Sequence, residues 1–297
     1  MTPSSDGGSG APGHLRVPDR LYPAYVFDLD GTIYLGEGLL PGAKRLIEAL
    51  RHWSIPVRFL SNNPTKDPEQ YVDKLTRLGL PTPVGDIVNT VVTMTRWLLE
   101  HAPGQVVFPL GDPPLVRALE RAGIPLSEDP AEIDLVIASY DHGFDYRKLQ
   151  IAFDALWFHR RARLIATHPD RYCPFPGGRG EPDVAAVIAA IEACTGVACE
   201  QHVGKPDPAM LSLALADLDV DPAEAIMTGD RLATDVRLAR NAGAAGALVL
   251  TGDSGLEDLA ATAPEHAPHY VLDRIDQLIP PALWHDLGWD DDVPSPT

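Results

Sequence analysis

Tyr25-Val26-Phe27-Asp28-Leu29-Asp30-Gly31-Thr32-Ile33 is the stretch from which the fold of this 297-residue chain can be read. Tyr25 to Phe27 form a short apolar run of the kind buried on both faces of a parallel sheet. Two carboxylates follow, Asp28 and Asp30, and then Gly31, which can take the backbone angles of a sharp turn. Carboxylates leaving a buried strand at its carboxyl end stand where open α/β sheets place their ligand crevice. There one can attack while the other moves protons, a divalent cation suppressing their mutual repulsion. Asp and Gly are also ordinary turn residues, so the stretch read alone fits an Asp-rich turn as well.

Outward from it, short apolar runs alternate with amphipathic helical stretches, the pattern of βαβ units. The spacing predicts strands at 57–60, 106–110, 135–138, 164–167, 225–228, 247–250 and 270–272. Helices are expected at 42–53, 68–78, 89–101, 114–122, 146–160, 183–195 and 207–215. Between Asp30 and Ser61 there is room for one loop, one helix and one strand, whereas Ser61 to Lys205 can hold a whole further α/β unit. The fold class is therefore α/β, with a discontinuous parallel-sheet core over 20–102 and 202–285 and an inserted domain over 103–201. Residues 1–19, rich in Gly, Ser and Pro, read as a disordered leader, and 286–297 as an acidic tail around Asp290-Asp291-Asp292. Gly177-Gly178-Arg179-Gly180 reads as a flexible lead-in to the helix at Asp183, since it lacks the Lys and Ser/Thr of a phosphate loop.

Lys and Arg number 24 against 42 Asp and Glu, a net charge of −18 that disfavours nucleic acid and anionic membrane as partners. A phosphate ligand must then be held by local cations, metal and backbone amides against the overall field. With 45% hydrophobic and 22% charged residues the chain reads as soluble and globular. Cys173, Cys194 and Cys199 are too few and too irregular for a disulfide framework, and reduced thiols in a cytoplasmic protein are expected.

Four polar groups end strands assigned to the core: Asp28 with Asp30, Ser61 with Asn62 and Asn63, Lys205, and Asp230 with Asp235. A parallel sheet gathers such ends however far apart they lie in sequence. Phosphoryl transfer needs this set: a nucleophile, a cation, donors for the phosphoryl oxygens and a proton shuttle. Asp28 can be the nucleophile, Asp28 and Asp230 can ligate Mg2+, Ser61 offers a hydroxyl, and Lys205 a point charge. Each also has a plain alternative: Ser61 as a cap, Asn62-Asn63-Pro64 as a turn, Lys205 as a surface residue, Asp230 and Asp235 as supports of the next helix.

Asp28-Leu29-Asp30-Gly31-Thr32, Ser61-Asn62-Asn63, Gly204-Lys205-Pro206 and Gly229-Asp230 with Asp235 resemble, in order, the four motifs of the haloacid dehalogenase superfamily of phosphatases. The insertion after the second motif resembles the branch with a large α/β cap, which includes p-nitrophenyl phosphate and sugar-phosphate phosphatases. The resemblance implies a Rossmann-like core with an inserted α/β cap domain, obligatory Mg2+ and an aspartyl-phosphate intermediate. By position, Asp28 would be nucleophile and metal ligand, and Asp30 general acid and base with its main-chain carbonyl on the metal. Ser61, Asn62 and Lys205 would hold the phosphoryl group, Asp230 would bind metal, and Asp235 would stand just behind it. Superfamily pumps carry Thr at the position of Asp30 and the carbon–halogen enzymes lack that Asp, so hydrolysis of a phosphomonoester is expected.

The expected activity is hydrolysis of small phosphorylated metabolites, chiefly sugar or polyol phosphates; the alternatives are a phosphomutase on the same core and a phospho-accepting signalling module. Cap turns supply the candidates for substrate choice: Asp141 and His142, then His168, Asp170 and Tyr172. Relatives with this cap often carry Asn where His168 stands, so His168 is expected either to contact a substrate hydroxyl or carboxylate or to stabilise its loop. Tyr172 would stack on a ring or be buried against Phe175. Caps of this kind often pair, which implies a homodimer.

Overall fold

The computed structural model describes residues 15–175 and 179–289, so the leader through residue 14, Gly177, Gly178 and the Asp290–Asp292 run lie outside the described residues. From β1 (Ala24–Asp28) the chain makes a small hairpin, β2 (Tyr34–Leu35) and β3 (Gly38–Leu39), and passes through a helix to β4 (Val57–Ser61) and β5 (Ile87–Asn89). It then builds β6 (Val107–Leu110), β7 (Leu135–Ala138) and β8 (Arg163–Ala166), a second hairpin of β9 (Tyr172–Phe175) and β10 (Arg179–Pro182), and the short β11 (Gln201–His202). It returns through β12 (Ala225–Gly229), β13 (Ala245–Val249) and β14 (Tyr270–Leu272).

Six of these strands form one sheet in the order β14-β13-β12-β1-β4-β5, every pair parallel. The central strand β1 is buried throughout, and its pleat divides it between two cores. Tyr25 and Phe27 pack with Leu46, Ile47 and Leu50 of the helix Ala43–His52 on one face. Ala24 and Val26 pack with Met210, Leu211 and Leu238 on the other. Helices on both faces explain why the strand reads as an unbroken apolar run. A second parallel sheet, β11-β8-β7-β6, is likewise covered on both sides.

Several expectations are corrected. The helix Thr90–His101, placed with the first sheet, packs Val91, Met94 and Leu98 against Val107, Leu135, Ile137 and Ile165 of the second. The return expected at 202 falls inside β11, which pairs with β8. We propose that the inserted unit runs from about Thr90 to His202, instead of 103–201. The leader is anchored at its end, Arg16 exchanging two main-chain hydrogen bonds of 2.9 Å with Val271. The tail begins packed, with Arg45 over the Trp289 ring at 4.5 Å. Arg179 and Gly180 belong to β10, paired antiparallel with β9, and are no loose lead-in. β5 was missed because three residues carry no periodicity. Among the described residues no helix is long and apolar enough to cross a membrane.

Candidate active site

Strand register sets the heights at the carboxyl edge of the six-stranded sheet. Phe27 stands opposite Thr228 and Asp28 opposite Leu60, so Asp230 and Ser61 each lie one residue beyond the level of Asp28. Gly31 turns with φ 84°, and a Cβ there would stand 2.5 Å from a carboxylate oxygen of Asp230. Only glycine lets the chain cross so close to that carboxylate.

Lys205 is 3% exposed; its Nζ donates to Asp28 Oδ1 and, at 2.7 Å, to Asp235 Oδ1. Asp235 Oδ2 accepts from the Arg231 amide at 3.1 Å, which leaves both oxygens of Asp235 engaged. Asp230 Oδ2 accepts from the Asp253 amide at 2.7 Å, whereas its Oδ1 is buried with no hydrogen-bond partner among the described residues. An orphaned buried carboxylate oxygen is costly unless a cation or donor completes it.

The charges agree. Burial would lower the Lys205 ammonium, but Asp235 and Asp28 outweigh it and hold the pKa above its ordinary value. Burial pushes Asp28 well above the usual carboxylate range; Lys205 opposes this, and Asp235 and Asp230 add to it. Burial and then Asp235 push Asp230 up to about 6. Oxygens of Asp28, Asp230 and Asp235 lie within 4.8 Å of one another, and the two nearby cations, Lys205 and Arg231, are fewer than these three carboxylates. An all-oxygen donor set with excess negative charge and an orphaned Oδ1 fits a hard divalent cation such as Mg2+.

The remaining expected residues fall into three groups. Asp30 is exposed at the same edge, where Tyr34 donates to its Oδ2 at 3.2 Å. Ser61 shares a 3.1 Å hydrogen bond with the Tyr71 hydroxyl and accepts from the Asn63 amide at 3.3 Å. Asn62 donates from Nδ2 to Lys205 O at 3.0 Å and to Asp170 Oδ2 at 3.1 Å, and accepts at Oδ1 from Lys205 N at 2.8 Å. Its side chain is thereby fully used, and only its main-chain amide could meet a phosphoryl oxygen.

His168 is 1% exposed, with Nδ1 3.0 Å from Thr167 Oγ1 and Nε2 3.1 Å from Asp183 Oδ1. A direct substrate contact by His168 would need one of these bonds broken, which favours the loop-stabilising alternative. Asp183 is legible as the start of a helix, and its segment Arg179–Glu181–Asp183 resembles a subset of the branch linked to sugar-phosphate hydrolysis; its bond to His168 is a tertiary pairing.

Asp141 and His142 lie in an open cleft of about 580 Å3 with Asp112, Arg117 and Lys148. Asp141 is ion-paired with Lys148 at 2.6 Å, and His142 Nδ1 lies 2.7 Å from Asp112. No contact links them to Asp28 among the described residues. Tyr172 is 55% exposed on β9, so the expectation that it is buried is corrected.

Comparison with known proteins shows the family and the fold. The family model described as haloacid dehalogenase-like hydrolase matches residues 25–125, and a second, described as HAD-hydrolase-like, matches residues 202–278. An acid sugar phosphatase of Staphylococcus aureus is 36% identical over 241 residues, 81% of this chain and 91% of that protein. The crystal structure of a 4-nitrophenylphosphatase from Thermotoga maritima superposes with a TM-score of 0.81 at 33% identity, covering 86% of this chain and 96% of that one. A glycerol phosphate phosphatase from Mycobacterium tuberculosis, solved in complex with magnesium, gives 0.76 at 26% identity, covering 86% and 77%.

Proposed function

Since this chain belongs to the haloacid dehalogenase-like hydrolases and is a phosphatase, we propose that it hydrolyses small phosphomonoesters, chiefly sugar or polyol phosphates, through a phosphoryl group carried on Asp28. The observation that supports this reading most is the Lys205 ammonium bridging Asp28 and Asp235 beside the orphaned Oδ1 of Asp230. Asp28, the main-chain carbonyl of Asp30 and Asp230 would hold Mg2+. When bound, the ion supplies positive charge that keeps the carboxylates ionised and offsets charge on the phosphoryl oxygens.

In the first half-reaction an Asp28 carboxylate oxygen forms a bond to phosphorus as the ester P–O bond breaks. Asp30, at the exposed mouth, gives its proton to the departing alkoxide. In the second, Asp30 takes a proton from water as the water oxygen bonds to phosphorus, and the bond to Asp28 breaks to release inorganic phosphate. Lys205 neutralises charge on the phosphoryl group in both, while the Ser61 hydroxyl and the Asn62 amide orient its oxygens. Asp235 keeps Lys205 in place.

Phosphate release from p-nitrophenyl phosphate and from a panel of sugar and polyol phosphates, with Mg2+ present, tests the reading. Release is expected for several of them and only positional exchange would indicate a phosphomutase. Asp28→Asn is expected to lose about a thousandfold or more of that release, and retention of a tenth of it or more would overturn the role of Asp28.

A further inference from the structure

Lys205 is placed by its main chain, and that main chain hangs from the inserted unit. Glu200, Val203 and Gly204 donate to the carbonyls of Leu164, Ala166 and Thr167 at 2.9, 3.2 and 2.7 Å. The strand pairing of β11 with β8 thus continues to the residue before the lysine. Gly204 fits with no side chain: a Cβ would stand 2.7 Å from Thr167 O and 2.8 Å from Asn62 Oδ1.

Asn62 closes the other side, its carboxamide gripping both the amide and the carbonyl of Lys205. A carboxamide can flip, and flipped it would set its N–H groups against the Lys205 N–H. Asp170 opposes the flip, because its Oδ2 accepts the remaining N–H of Asn62 Nδ2 at 3.1 Å and would meet a carbonyl oxygen if the carboxamide turned. The Asp170 side chain is 15% exposed, and its Oδ2 also lies 4.0 Å from His168 Nε2. His168 is itself fixed by Thr167 and Asp183. A contact spanning 108 residues therefore ends on the backbone of the phosphate-binding lysine.

We infer that Asp170 is a positioning residue: by holding the Asn62 carboxamide it sets the place of the Lys205 ammonium over Asp28. The inference rests on the reading of Lys205 given above. It differs from a role in leaving-group choice, because Lys205 meets the phosphoryl group common to every substrate.

Steady-state kinetics of Asp170→Ala and Asp170→Asn with Mg2+, on p-nitrophenyl phosphate and on glycerol phosphate, test it, with thermal unfolding of each protein alongside. Asp170→Ala is expected to lower kcat about tenfold, as for a modest displacement of a catalytic group, with KM within about twofold and the same factor on both substrates. Asp170→Asn keeps an acceptor oxygen and is expected to recover most of kcat. Should the alanine protein be unfolded, Asp170→Leu fills the space without an acceptor and is expected to show the same loss. An unchanged kcat, a change in KM alone, a loss that differs severalfold between the two substrates, or an asparagine variant as impaired as the alanine one would overturn it. No phosphate release by the unmodified protein would instead overturn the proposed function.

Discussion

Two clusters of acidic side chains, one of them with a histidine, are linked through Asn62 and Lys205 and are finished differently. Around Asp28, Asp230 and Asp235 stands one ammonium, and an oxygen of Asp230 is left without a partner. Around His168, Asp170 and Asp183, the Asp170 oxygen facing Asn62, the Asp183 oxygen facing His168 and both His168 nitrogens are already engaged. Unsatisfied charge is retained where a ligand and a reaction are to be accommodated, while a satisfied network holds its neighbours in place. Both can bring three ligand atoms within 4.8 Å, so composition alone does not separate them.

The largest expected effect is at the first cluster. Asp28→Asn should reduce kcat by about a thousandfold or more, the scale for removing a nucleophile, read as phosphate release; retention of even a tenth of the rate would erase the distinction drawn here. Lys205→Ala strands two buried carboxylates, and by analogy with other broken buried pairs should cost about 3–5 kcal/mol of stability in denaturant unfolding without metal. A loss under about 1 kcal/mol would mean that the carboxylates are not truly desolvated.

A pH comparison sharpens the contrast. Asp230 sits at about 6 in the folded protein without metal, against roughly 3.9 for an unfolded Asp. Between those values the folded state keeps a proton that the unfolded state has lost, so this group's contribution to stability falls as pH rises and is gone above about 6. Mg2+ must displace that proton. It should therefore raise the thermal midpoint clearly at pH 7.5, where the carboxylate is already ionised, and little at pH 5. Equal shifts at both pH values would contradict the assignment of Asp230 to the metal, and Asp230→Asn should remove the shift. The smallest effect is expected on the rim: Tyr172→Ala should change kcat/KM by only a few fold and unequally among leaving groups. A uniform loss across substrates would place Tyr172 in the chemistry.

The gathering of the site residues at the carboxyl edge of the sheet was legible because they come in order at strand ends. Asp28, Ser61 and Asp230 need only a parallel sheet to meet, and the apolar runs before each imply one. The helix Thr90–His101 was legible as a helix but not in its allegiance, since Val91, Met94 and Leu98 mark an apolar face without saying which sheet it covers. Asn62 is expected to hold the phosphoryl group by its place in the second motif; which part of it is free to do so is not local information, and the bonds to Lys205 and Asp170 engage its carboxamide.

From order and residue type alone follow the α/β class, the insertion after the second motif and the chemistry grouped about Asp28, because periodicity and strand-end position are local properties of a chain. Which acid is orphaned, which histidine is sealed away, and which carboxylate of the inserted unit reaches Asn62 were decided by packing. The last of these joins residues 108 positions apart, and packing of the inserted unit against the core edge brings them within 3.1 Å.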